Sequence, residues 1–155
     1  MTDAVAAGAV AVAVLNAVPG LLGGLLWYRA SPLQGRLGQM FWIALRVGQG
    51  AAVAFAVAVG SLAAAGSYSS DKLFYLYALL PLAVAFVAEQ LRVTSAQTIL
   101  DQRGLDGAAA VGALPEPEQR AVVAEIMRRE LGIMALAALV VVFLAVRAAG
   151  TAGGF

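Results

Sequence analysis

Two ionisable side chains lie inside long apolar stretches of this chain, where a charge is costly and therefore points to a role. Arg46 stands among aliphatic and small residues with Gln49 three positions later, and Glu89 stands in a later stretch beside Gln90. A guanidinium and a carboxylate in such surroundings can pair with each other, bind an anion or carry a proton. Arg46, Gln49, Glu89 and Gln90 are therefore the candidate intramembrane polar site of this sequence.

The depths of Arg46 and Glu89 predict that the two side chains meet. Arg46 lies ~10 Å of helix inside its apolar stretch, and Glu89 lies near the corresponding end of the next stretch. Both helix faces carry small residues, which allow helices to approach closely. Such a pair could serve only to fix the helix register, or it could be an anion or proton site that opens to the cytoplasm. The sequence leaves both interpretations open.

A further polar group, Asn16, lies near the middle of the first apolar stretch. Asn16 and Gly20 share one helix face, and Gly20 and Gly24 have the spacing of small residues at which membrane helices pack closely. We interpret Asn16, Gly20 and Gly24 as a helix-packing surface on which the Asn16 amide forms hydrogen bonds. The partner helix could belong to the same chain or to a second copy.

Four apolar stretches carry these residues, at about residues 4–28, 39–65, 73–91 and 131–146. Each has roughly the 20 apolar residues with which a helix crosses ~30 Å of hydrocarbon, and none alternates as a β-barrel strand would. Hydrophobic residues make up 62% of the 155 residues and charged residues only 12%, about half of the charged share of a soluble domain. The sequence predicts a single all-α membrane domain over residues 1–155, folded as a four-transmembrane-helix bundle.

The third and fourth spans are predicted to continue as helices beyond the bilayer. Gly104 is expected to end the third helix, residues 105–113 are expected to form a flexible loop, and Pro115 and Pro117 open the next helix. We therefore expect residues 92–130 to form a cytoplasmic helical hairpin. The apolar residues expected to face each other across it are Val93, Ile99 and Leu100 on one helix and Val122, Val123, Ile126 and Met127 on the other.

The apolar stripe of the second hairpin helix has an alternative interpretation as a docking surface. Arg128 and Arg129 would then bind a partner or anionic lipid. Glu125 lies three and four residues before them, so the spacing also allows local ion pairs that would neutralise both arginines.

Basic residues are distributed unequally between the two ends of the spans. Arg29, Arg36 and most of the other arginines fall between spans 1 and 2 or in residues 92–130, whereas Lys72 and Arg147 lie at the opposite ends. The positive-inside rule therefore predicts that both termini are extracytoplasmic. We expect a multi-pass protein of the bacterial inner or plasma membrane. Residues 31–34 resemble a capped helix start, which would begin the second helix in the cytoplasm.

The composition narrows the functions that this chain can have. With no histidine and no cysteine, and no known catalytic motif, the sequence argues against an enzyme, and we expect no cofactor and no metal site. A net charge of +1 gives no reason to expect nucleic acid. The expected partners are the lipid bilayer and either further copies of the chain or a larger membrane complex.

Three functions remain open from the sequence. The favoured one is a small non-catalytic integral membrane protein, a structural or accessory subunit. The first alternative is a small transporter, channel or ligand-binding membrane protein with a cytoplasm-facing polar site around Arg46 and Glu89. The second alternative is a lipid-modifying enzyme, in which acid–base chemistry would depend on Glu89 alone.

Overall fold

The computed structural model describes residues 1–29 and 35–153, and this part of the chain is helical with no strand. Its helices are α1 (Thr2–Tyr28), α2 (Arg36–Ala64), α3 (Lys72–Gln102), α4 (Gly107–Gly112) and α5 (Glu116–Gly150). All except the short α4 are long and apolar enough to cross a membrane. The predicted four-transmembrane-helix bundle is confirmed, and the helix start predicted at residues 31–34 lies outside the described residues.

The four long helices pack as a ring in the order α1, α2, α3 and α5, and α5 closes the ring against α1. The α1–α5 contact is the most extensive, whereas α2 and α3 meet over a short length. At Gly20 and Gly23 of α1, an added Cβ would lie 2.7 Å from Leu139 and from Ala135 of α5 respectively. Glycine therefore permits the close approach of these two helices.

In the part of the chain that the structure describes, the core consists of three clusters stacked along the bundle. One lies towards the hairpin and includes Phe41 and Met134, the middle one includes Val12, and the third surrounds Phe74. Phe41, Met134 and Phe74 have no exposed surface. Aromatic and branched side chains thus fill the space between helices that are otherwise rich in alanine and glycine.

The hairpin is helical on both sides, because α3 continues to Gln102 and α5 begins at Glu116. Gly104 follows α3 with φ +66°, a left-handed conformation that favours glycine. Ile99 and Val122 are buried, as the sequence predicted, but Val93 and Val123 are exposed. The prediction was wrong for these two valines because each helical step turns ~100°, which takes them off the buried line.

Residues 105–113 were predicted to be a flexible loop, and this prediction was wrong. Residues 107–112 form α4, which begins at Gly107 with φ +79° and contains three consecutive alanines, the residue with the highest helix propensity. The Gln119 amide donates to the carbonyls of Gly112 and Leu114. These hydrogen bonds satisfy carbonyl groups at and beyond the end of α4.

Candidate functional site

The Arg46 guanidinium of α2 and the Glu89 carboxylate of α3 are in direct contact. Nη1 of Arg46 lies 2.7 Å from Oε1 of Glu89 and also donates to Oε1 of Gln49 at 2.7 Å. Nε2 of Gln49 donates to the same Glu89 oxygen at 3.4 Å. Arg46 and Gln49 are three residues apart, so they project from one face of α2 towards α3.

Arg92 engages the second oxygen of the Glu89 carboxylate from one turn further along α3. Its Nε lies 3.1 Å from Oε2 of Glu89, an ion-pair distance. The direction of the N–H is unsuitable for a hydrogen bond, and no acceptor for it exists among the described residues. The guanidinium carbon also lies 5.6 Å from the centroid of the Trp42 ring, within the range of a cation–π interaction.

The helix α5 contributes one further charge to this region. Glu130 is partly buried and lies within electrostatic range of both Arg92 and Glu89. We call Arg46, Gln49, Glu89, Arg92 and Glu130 the charged cluster. Its two arginines and two glutamates balance formally, so the cluster has no net charge when all four side chains are ionised.

The charged cluster lies at an open edge of the bundle and is not sealed inside it. The Arg46 side chain is 53% exposed, and the side chains of Glu89 and Arg92 are each 28% exposed. This accessibility follows from the short contact between α2 and α3. Arg46 can therefore reach water or lipid headgroups while it holds Glu89.

The structure brings together three of the four predicted polar residues. Gln90 is exposed and makes none of the contacts within the charged cluster. Sequence reasoning missed Arg92 and Glu130 as members, although the three-residue spacing from Glu89 to Arg92 was a usable signal. No local signal could identify Glu130, because α5 follows α3 only after the hairpin loop.

Asn16 and Gly20 make their contacts within the same chain. Nδ2 of Asn16 donates to the Gly48 carbonyl of α2 at 3.1 Å and to the Val12 carbonyl at 2.9 Å. Gly20 packs against Leu139. Gly24 differs from them, because a Cβ added there would meet no other described part of the chain within 4 Å.

No ready-made metal site is found in residues 1–29 and 35–153, where no three acidic side chains are grouped to hold an ion. Comparison with protein-family models, with curated proteins and with solved structures found no match to this chain. Function is therefore inferred from the contacts of the charged cluster.

Proposed function

We propose that this chain is a small non-catalytic integral membrane protein that acts as a structural or accessory subunit of a membrane assembly. The observation that carries the proposal is that side chains of this chain engage both carboxylate oxygens of Glu89. Arg46 and Gln49 engage one of its oxygens and Arg92 engages the other. A general base needs access to the proton that it removes, so this carboxylate suits the joining of α2 to α3 better than lipid-modifying chemistry.

We also propose that both termini are extracytoplasmic, in the inner or plasma membrane of a bacterium. Support comes from the arginines that flank the hairpin end of the bundle, including Arg29 and Arg36. In this orientation the hairpin and the charged cluster belong to the cytoplasmic side.

A double-mutant cycle tests the joining role of the charged cluster. Arg46→Met leaves Glu89 paired with Arg92, so we expect a loss of about 1 kcal/mol of unfolding free energy. Glu89→Leu leaves two guanidinium groups without their shared carboxylate, and we expect about 2–3 kcal/mol. The double variant should lose less than the sum of the two, because Arg46 is stranded only in the Glu89→Leu single variant. Thermal and denaturant unfolding in detergent, followed by circular dichroism, measures these losses.

The matched control is Arg120→Gln, which breaks an exposed ion pair with Glu116 on the same side of the bundle. It should change stability by no more than ~0.5 kcal/mol. Strictly additive losses at Arg46 and Glu89 would contradict a joining role. The subunit role is tested by native electrophoresis of the protein extracted from its own membranes, where we expect a particle larger than one chain for the unmodified protein and the double variant alike.

A second function, an anion-binding or transport site, is favoured by one specific observation. The Arg46 guanidinium is half exposed at the open edge of the charged cluster. An anion could accept hydrogen bonds from its exposed N–H groups. If inorganic phosphate raised the melting temperature at constant ionic strength, and Arg46→Met abolished the rise, this second function would replace the structural one.

A further inference from the structure

An apolar groove runs along the outer surface between α1 and α5. It has a volume of about 510 Å³, and Leu136 and Leu139 form its apolar wall, with Gly24 and Gly132 among its lining residues. Gly24 leaves it open, since no other part of the described chain comes within 4 Å of the position that a Cβ would take. The groove therefore offers a lipid acyl chain an open space with an apolar lining.

The hairpin end of this groove carries an aromatic ring and two cations. Trp27 and Arg129 line the groove there. The guanidinium carbon of the neighbouring Arg128 lies 5.6 Å from the Trp27 ring centroid. Arg128 is exposed and forms no hydrogen bond or ion pair with the described residues, so its N–H groups remain available to an anion.

Neither arginine is paired with a carboxylate of residues 1–29 and 35–153. Glu125, whose spacing allowed it to pair with Arg128 and Arg129, pairs instead with Arg103 across the hairpin. No described residue forms an ion pair with Arg128 or Arg129. Two unpaired cations thus stand next to an indole ring at the end of an apolar groove, the arrangement expected at a membrane–water interface.

A second groove on the same surface shows what is particular to the first. It lies between α3 and α5, has a volume of about 390 Å³, and is lined by aliphatic and alanine side chains without a charged residue. Ile133 and Leu136 of α5 border both grooves. The positive charge, and with it any preference for an anionic headgroup, belongs to the α1–α5 groove.

We propose that the α1–α5 groove binds one anionic phospholipid from the leaflet on the hairpin side. An acyl chain lies against Gly24, Gly132 and Leu136, and the headgroup phosphate lies between Arg128 and Arg129 beside Trp27. Every phospholipid has acyl chains, so the apolar groove only positions the lipid. The two arginines select anionic over zwitterionic headgroups. Each arginine contributes roughly a fivefold preference for an anionic over a zwitterionic headgroup.

Fluorescence quenching by brominated lipid tests this site directly. The chain has two tryptophans, so Trp42→Phe leaves Trp27 as the only indole reporter, with circular dichroism used to verify the fold. The protein is reconstituted in phosphatidylcholine vesicles that contain brominated phosphatidylglycerol or, in parallel, brominated phosphatidylcholine. We expect brominated phosphatidylglycerol to quench Trp27 as strongly as brominated phosphatidylcholine does when it makes up a much smaller fraction of the membrane. The ratio of the two fractions that give equal quenching should be at least about ten.

Matched variants separate the groove and its arginines from general surface effects. Arg128→Gln with Arg129→Gln should remove the preference. Arg36→Gln with Arg120→Gln removes the same charge from the same side and leaves the Arg103–Glu125 ion pair in place, so it should preserve the preference. Gly24→Leu should fill the groove and reduce quenching by both lipids. Gly60→Leu is the control, because Gly60 also has open space around its Cβ position but lies on α2, and it should leave the quenching unchanged.

Three outcomes would overturn the proposal. The first is equal quenching by the two lipids in the unmodified arginine background, and the second is a preference that survives loss of Arg128 and Arg129. The third is protection of Trp27 from both lipids together with crosslinked dimers, which would assign the groove to a second copy of the chain. Native mass spectrometry of the unmodified chain, with retained phosphatidylglycerol counted, gives a second measurement that does not depend on Trp42→Phe.

Discussion

Asn16 and Gly48 form a contact in which a buried amide depends on the absence of a neighbouring side chain. Asn16 donates to the Gly48 carbonyl, and a Cβ added at Gly48 would lie 2.8 Å from Oδ1 of Asn16. Gly48→Ala should therefore displace the amide. We expect Asn16→Ala and Gly48→Ala each to cost about 1 kcal/mol, and the double variant to cost clearly less than their sum, measured by unfolding in detergent.

Gly50 provides the control for this cycle, because it lies on the same helix with open space around it. Gly50→Ala should leave stability unchanged or raise it by up to ~1 kcal/mol through helix propensity. If Gly48→Ala behaved like Gly50→Ala, the close contact between α1 and α2 at Asn16 would be refuted.

At the residue scale, the sequence was sufficient where two side chains lay on consecutive spans. Arg46 and Glu89 could be matched because depth in the membrane and helix face are both readable from position along an apolar stretch. The contribution of Glu130 depends on the rotation of α5 about its axis, which packing with α1 and α3 determines. The ion pair between Glu125 and Arg103 could not be predicted either, since Arg103 lies on the other helix of the hairpin.

The two helices of the hairpin should be ordered in solution as far as their buried contact extends. Ile99 is 1% exposed and Val122 is 0% exposed, whereas α4 has no buried residue. We expect slow amide hydrogen exchange over residues 95–102 and 119–130 and faster exchange over residues 105–113. Hydrogen exchange read by mass spectrometry in nanodiscs measures this contrast.

Replacement of Ile99 tests whether that contact holds the hairpin together. Ile99→Ala should cost about 2–4 kcal/mol of local stability and speed exchange in both helices. Val93→Ala is the matched control on the same helix, and its 64% exposure predicts little effect. Equal effects of the two substitutions, or fast exchange throughout the hairpin before any substitution, would contradict this packing.

At the scale of elements, the helix ends marked by glycine or proline could be predicted from the sequence, whereas the buried faces of the helices could be predicted only in part. Gly104 and the Pro115–Pro117 pair correctly limited α3 and α5, because their backbone preferences are local. The exposure of Val93 and Val123 was missed because the prediction assigned all the apolar residues to one face, whereas the ~100° turn per residue leaves room on the buried line for only some of them. The helix α4 was missed because a short run of alanines between glycines lies near the margin between helix and loop.

The orientation of the whole molecule is predicted from charge and can be measured by fusion. A reporter that works only in the cytoplasm should be active when inserted in α4 and inactive when fused after Phe155, because the hairpin end carries most of the arginines. A reporter that works only outside the cytoplasm should give the reverse pattern. Activity of the cytoplasmic reporter after Phe155 would refute extracytoplasmic termini.

The position of α5 in the ring has a consequence for the folding of the chain during its synthesis. The ribosome makes α5 after α1, α2 and α3, yet α5 has the largest contacts with α1 and α3. At ~5–20 residues per second, synthesis from the end of α3 to the end of α5 takes about 2–10 s. During that interval we expect the first three helices to lack their packing partner α5, so that the faces of α1 and α3 that α5 covers in the finished bundle stay open.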